Sequence, residues 1–162
     1  MKCINCKSSS IYKIIEFKKI PISNNFTKNS DAEKLSKYSL GLIFCKKCKL
    51  VQNSKIIKNE KIFNDNYLYH SSFSSSWLKH SKNLANFCIK KFKLGKKSSV
   101  IEVASNDGYL LQFFKKKKIN CIGIEPSKSV AKIAIKKGIK TYINFFSTFF
   151  VKKNKIKNNL IL

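Results

Sequence analysis

The sequence predicts an α/β chain. A cysteine-stapled module spans residues 1–62, a connecting segment and helix follow at 63–97, and residues 98–162 form the first half of a Rossmann-like parallel sheet. Three observations predict it. Two C-x-x-C pairs, Cys3/Cys6 and Cys45/Cys48, lie in the first third of the chain. Residues 100–125 read as apolar strand, polar turn with one glycine, helix, apolar strand and acid, the opening of a nucleotide-binding α/β unit. A further helix and apolar strand follow at 127–145.

The two C-x-x-C pairs present four thiolates, and zinc takes four in a tetrahedron. Lys2, Lys7, Lys46, Lys47 and Lys49 surround them, and nearby positive charge favours thiolate over thiol. Between the pairs, residues 11–17 alternate as a strand does, Pro21 opens a polar loop that runs through Asn29, and residues 38–44 read as a strand entering the second pair. Two knuckles held by short strands make a zinc-ribbon-like module, with Cys3, Cys6, Cys45 and Cys48 as the Zn2+ ligands. Cys88 and Cys121 sit in apolar patterns and read as core.

The connecting segment carries Tyr67, Tyr69 and His70 ahead of a serine-rich turn. Taken alone, that cluster is a packed or solvent-facing patch. A helix over 74–92 follows, with Trp77, Leu84, Cys88 and Phe92 on one face, His80 near it, Ser74 as cap and Gly95 as terminator.

The sheet unit begins with a strand at 100–104. The turn that follows narrows the ligand. A dinucleotide site wants three glycines so that bare backbone can approach a pyrophosphate. Here Ala104 and Asn106 stand in the small-residue positions and only Gly108 is glycine. Glu102 and Asp107 put two carboxylates beside the loop, which would repel a pyrophosphate and attract a cation. S-adenosylmethionine has no phosphate and carries a sulfonium and an ammonium. Asp107 is also placed to cap the helix at 109–116, whose buried side is Leu110, Leu111, Phe113 and Phe114. Glu125, ending the strand at 121–124, is placed to accept hydrogen bonds from ribose hydroxyls. Pro126 and Ser127 open a helix with Val130, Ile133, Ala134 and Lys137 on one face, closed by Gly138 as a left-handed cap. Strands are expected at 139–145 and 159–162. The apolar end with four strands suggests an incomplete sheet, and so a fragment of a longer enzyme.

Of 162 residues, 34 are basic, every one a lysine, and 8 are acidic, giving a net charge of +26. Lysine, isoleucine, asparagine and phenylalanine are abundant together, which looks like a compositional bias of the genome. A specific nucleic-acid reader leans on arginine, so no specific nucleic-acid partner is expected, although a zinc-ribbon nucleic-acid binder is the competing reading. No secretory signal and no apolar run of membrane-spanning length is visible, so a cytoplasmic protein with no membrane partner is expected.

Taken together, the motifs resemble the C-methyltransferases of nucleotide-linked deoxysugars that begin with a zinc-binding domain. The residues that carry the resemblance are Cys3, Cys6, Cys45 and Cys48, then Leu50-Val51-Gln52, then Tyr67, Tyr69 and His70 before Ser71-Ser72. Glu102-Val103-Ala104-Ser105-Asn106-Asp107-Gly108 and Gly123-Ile124-Glu125-Pro126-Ser127 complete it. The resemblance implies methyl transfer from S-adenosylmethionine to a sugar carbon beside a ketone: a base removes the adjacent proton and the enolate attacks the methyl group. It implies a structural zinc, Tyr67 and His70 as catalytic-site residues facing the acceptor, and Glu102, Ala104, Asn106, Asp107, Gly108, Glu125, Pro126 and Ser127 around the cofactor. Ala104 departs from the glycine the family places there. The family's base and sugar-binding domain lie further along than Leu162, so this polypeptide is expected to be inactive alone and to need a complementing C-terminal fragment.

Overall fold

The computed structural model describes residues 1–65 and 67–162. Asn66, at the start of the tyrosine segment, lies outside the described residues. The chain divides into two compact units, Met1–Ile62 and Phe63–Leu162.

The first unit is a three-stranded antiparallel sheet in the order β1-β2-β3, with β1 at Ile11–Pro21, β2 at Lys37–Cys45 and β3 at Val51–Asn53. The strands predicted at 11–17 and 38–44 are both present and longer than expected. β3 went unread because Val51-Gln52-Asn53 is too short to show a period. Register breaks between Lys13 and Ile15, and between Phe17 and Ile20, bend β1 against its partner. A one-turn helix α1 at Asn59–Ile62 ends the unit.

The second unit is a four-stranded, all-parallel sheet in the order β6-β5-β4-β7. Its strands are β4 at Ser99–Val103, β5 at Asn120–Ile124, β6 at Lys140–Tyr142 and β7 at Leu160–Ile161. The chain runs outward from β4 through β5 to β6, then returns to pair β7 with the other side of β4. That reversal makes the carboxyl end of β4 a topological switch point, where open α/β sheets bind ligands. The fold is therefore the Rossmann-like α/β sheet the sequence predicted. Successive residues of β4 serve opposite faces: Val100 packs with Ala85, Cys88, Leu111, Phe114 and Ala134, and Ile101 with Ile124 and Phe150.

Helix α2, Ser75–Lys91, has the predicted cap, Ser74 Oγ accepting the Trp77 N–H at 3.2 Å. Its buried face is the predicted one only in its middle, where Cys88 is buried and Leu84 packs on the core. Ser81, Ala85 and Cys88 are buried, Trp77 and Phe92 are 42% and 51% exposed, and His80 stacks on Trp77 at 5.2 Å. Close approach to α3, at Leu111–Lys116, selects small side chains, so bulky residues fall on the flanks. The left-handed position after α2 is Lys93, at φ 50°, rather than Gly95. After α4, Lys128–Lys136, Gly138 does take that position, at φ 73°, and the Ile139 N–H reaches Ala134 O at 3.0 Å. Strand β6 is shorter than the predicted 139–145, and helix α5, Thr148–Lys153, follows under a Ser147 cap.

Candidate functional site

The first unit gathers its four cysteines at one end of the sheet. Each knuckle closes the same way. The Lys7 N–H reaches Cys3 O at 3.0 Å and the Lys49 N–H reaches Cys45 O at 2.8 Å, with Lys7 and Lys49 at φ 60° and 64°. All four sulfurs lie within 4.8 Å of one another, with Cys3–Cys48 at 3.5 Å and Cys6–Cys45 at 3.6 Å. A tetrahedron of 2.3 Å zinc–sulfur bonds has edges of about 3.8 Å, so the set fits the ion. Backbone N–H groups point at the sulfurs. The Leu50 N–H leads in holding the Cys48 thiol down to about 6, and the Cys48 N–H lowers Cys45. Cys6 feels the Ser8 N–H in the same direction, but burial and the three other thiols push it up to about 11. Four crowded thiols ionise together only around a cation, which is what a structural zinc supplies.

In the second unit the residues singled out in the sequence converge at the carboxyl ends of β4 and β5. Glu102, Asp107 and Glu125 are each 3% exposed or less. Burial first, then the charges of Asp107 and Glu125, push the Glu102 carboxyl up to about 8, against the hydrogen bond from Tyr109. Burial likewise raises Tyr109 and Tyr67, and Tyr67 also feels Glu125. Glu125 is used twice by the backbone, its Oε2 accepting Asn106 N–H at 2.9 Å and its Oε1 accepting Ser127 N–H at 2.8 Å. It staples the loop after β4 to the start of α4, a role beyond the ribose contact expected from the sequence.

Asp107 does not cap α3, which starts at Leu111 with no side-chain cap. Its Oδ2 instead accepts Ser72 Oγ–H and, at 3.3 Å, Ser72 N–H, while Lys137 Nζ binds its backbone carbonyl at 2.8 Å. Asn106 turns its side chain the same way. It accepts Ser71 N–H at 2.9 Å and donates to Tyr69 O at 3.1 Å. Ser129 Oγ donates to Tyr67 O at 2.8 Å. The tyrosine–histidine segment is thus strapped along the loop by three side chains. Sequence reasoning missed Ser72, Ser129, Tyr109 and Lys137, whose contacts span 30 to 62 residues or leave no local pattern.

Gly108, at φ 77°, faces Ile139 and Ala134, so packing of the loop on α4 and β6 fixes it as glycine. A Cβ at Gly123 would strike Ser105 Oγ. Pro126 is half-buried and Ser127 fully buried. Ala104 is exposed with φ 59°, the reason a glycine is favoured there. Ala104→Gly is expected to stabilise the chain by about 0.5–1 kcal/mol, the left-handed strain relieved less the added unfolded-state entropy. Denaturant melts of both proteins check this, and a lower midpoint for the glycine variant refutes it.

Several buried polar atoms here have no partner: Glu102 Oε2, Asp107 Oδ1, Ser105 Oγ, Ser127 Oγ and His70 Nδ1. Two are carboxylate oxygens. A ligand with cationic and hydroxyl groups would satisfy such a set, so the residues fit S-adenosylmethionine.

Fold and site together define a four-cysteine zinc module joined to a Rossmann-like unit with an acidic, glycine-poor ligand loop. Residues 3–63 match the family model described as "Putative zinc binding domain". The chain is 24% identical over 141 residues to the C-methyltransferase NovU of Streptomyces niveus, an alignment covering 86% of this chain and 33% of that protein. It therefore spans about a third of the relative's length. Among solved structures, the MccD protein is similar at 26% identity and a TM-score of 0.31, over 48% of this chain and 30% of that one. DesVI of Streptomyces venezuelae is similar at 18% identity and 0.39, over 48% and 34%. The resemblance read from the motifs is thus matched by a C-methyltransferase relative and, at the amino end, by a zinc-binding family.

Proposed function

We propose that the chain is the zinc- and cofactor-binding part of an S-adenosylmethionine-dependent C-methyltransferase acting on a nucleotide-linked keto-deoxysugar. The observation that carries this reading is the buried acid cluster Glu102, Asp107 and Glu125 at the switch point, with carboxylate oxygens left unpartnered. Glu102 and Asp107 would meet the cofactor's cationic end. Glu125, with Pro126 and Ser127, would take the ribose end, each oxygen of Glu125 having a lone pair beyond its backbone bond. Bound there, the cofactor supplies an electrophilic methyl group. Tyr67 and His70, strapped beside the loop, would face the acceptor, and the zinc shapes its own unit without entering the chemistry. The alignment covers 33% of the relative, so turnover is assigned to a longer protein or to this chain with a complementing C-terminal fragment. Thiol ligands favour a reducing compartment, the cytosol, and no helix among the described residues is long and apolar enough to cross a membrane.

One observation favours a second reading. Tyr12 and Phe17, 57% and 49% exposed, lie on one face of the β1-β2-β3 sheet, opposite Phe44 and Leu40, among lysines. Exposed aromatics on a basic sheet are how single-stranded nucleic acids are stacked. That reading leaves the acid cluster without a role. Calorimetric titration of the chain with S-adenosylhomocysteine, NAD and a short oligonucleotide separates the two. Saturable binding of S-adenosylhomocysteine alone is expected. Oligonucleotide binding that weakens steeply with salt, with no heat from the nucleoside, would favour the second.

A further inference from the structure

Asn106 holds the strap as a neighbouring strand would. Its carbonyl oxygen takes the N–H of Ser71 and its amide nitrogen gives to the C=O of Tyr69, residues i and i+2 of an extended stretch, at 2.9 and 3.1 Å. These bonds flank His70, which sits between them at φ −110°, ψ 112°. A side-chain amide offers an acceptor and a donor in one plane, as a peptide does. His70 makes no hydrogen bond through its buried Nδ1, and its ring stacks on Phe73 at 4.8 Å. Its backbone is therefore fixed by Asn106. Asn106 is in turn fixed from the opposite side: it is 7% exposed, at φ 48°, and its own N–H is bound by Glu125 Oε2. A continuous path of hydrogen bonds runs from Glu125 through Asn106 to both peptides of His70.

We propose that Asn106 is a positioning residue that couples occupancy of the cofactor loop to the placement of His70. This deepens the methyltransferase reading and rests on it. A ligand that engages Glu125 or the loop backbone re-seats Asn106, and the side-chain clamp passes that change to the strap. The consequence is order of assembly: the acceptor-facing histidine takes its working position once the loop is filled.

The chain has two histidines, which makes the test direct. Imidazole carbon–proton spectra are recorded on the whole chain during titration with S-adenosylhomocysteine, with calorimetry in parallel. The His70 resonance is expected to move to saturation with the calorimetric isotherm, while His80, on α2 against Trp77, stays. Asn106→Asp keeps the shape and the acceptor but removes the donor to Tyr69. Read at ligand saturation, whatever affinity the variant keeps, the His70 response is expected to be lost; should the variant bind no ligand, the exchange measurement below decides. A clamp that only holds the fold together would leave that response in place. Binding heat with a silent His70 in the parent, or an unchanged response in Asn106→Asp, overturns the coupling alone. No binding heat at all overturns the cofactor reading and the coupling with it. Should Asn106→Asp fail to fold, amide exchange in the parent decides: the Ser71 N–H is expected to gain protection on ligand binding, and unchanged exchange rejects the proposal.

Discussion

Chelation of the metal is expected to unfold residues 1–62 while residues 63–162 keep their sheet. The first unit has almost no apolar core of its own. Among its described residues the buried apolar side chains are Cys3, Ile43 and Cys45, two of them ligands. Ile15, Phe17, Ile20, Leu40 and Leu42 all remain more than a third exposed. A unit this small cannot bury enough surface to offset the entropy of ordering its chain. Structural zinc contributes roughly 10–16 kcal/mol to zinc-finger peptides near neutral pH, far more than so small an apolar core can supply. Amide exchange on the chelated chain should show protection lost across β2, from Lys37 to Cys45, and retained in β4 and β5. Cys45→Ser, which removes one ligand from the buried side, should do the same without chelator. Ligation releases protons, so the same loss should appear on acidification, as the thiols reprotonate. Persistent protection of Ile43 and Cys45 in excess chelator would refute this account and leave the cysteines as ordinary core.

What the sequence made legible was local. The four ligands are two i, i+3 pairs, and the turn geometry that presents them needs only the residue after each pair to go left-handed. The strand–loop–helix–strand–acid order was equally legible, because each piece carries its own period or breaker. What was not legible depended on partners far along the chain. Asp107 looks like a helix cap and is instead claimed by Ser72, 35 residues earlier. Trp77 and Phe92 satisfy the helical period but lie on the flank, while Ser81, Ala85 and Cys88 are the residues α2 buries. Gly95 looks like the helix terminator, yet Lys93 takes the left-handed turn two residues sooner. Glu125 could be placed near a ribose from its spacing, but its grip on two backbone N–H groups could not be foreseen from sequence.

Glu102→Gln is expected to stabilise the free chain at pH 8 and to weaken S-adenosylmethionine binding, two effects of opposite sign from one carboxyl. Burial, and next the charges of Asp107 and Glu125, raise Glu102 from its ordinary 4.5 to about 8, with Tyr109 opposing. A carboxyl that holds its proton more tightly in the folded state makes folding take up a proton between those two values. Stability contributed by the neutral form is therefore complete below about pH 4.5 and is lost progressively as pH rises through about 8. The upper bound on that loss is roughly 5 kcal/mol, and partial relaxation should bring the observed gain for the glutamine variant at pH 8 to about 2–4 kcal/mol. Glutamine keeps the shape and can still accept from Tyr109. The cofactor acts in the other direction: its positive charge favours the carboxylate, so binding expels a proton wherever Glu102 starts protonated. Affinity should rise by up to about tenfold per pH unit on approaching pH 8 from below and level off above it. Calorimetry in buffers of different ionisation enthalpy should record close to one proton released at pH 6.5 in the parent. In Glu102→Gln the release and the pH slope should both vanish, with affinity at pH 8 lower by about tenfold or more. A variant that binds as tightly as the parent at pH 8, or keeps its pH slope, would remove Glu102 from the cationic end of the pocket and with it the physical reason for preferring a sulfonium ligand to a pyrophosphate.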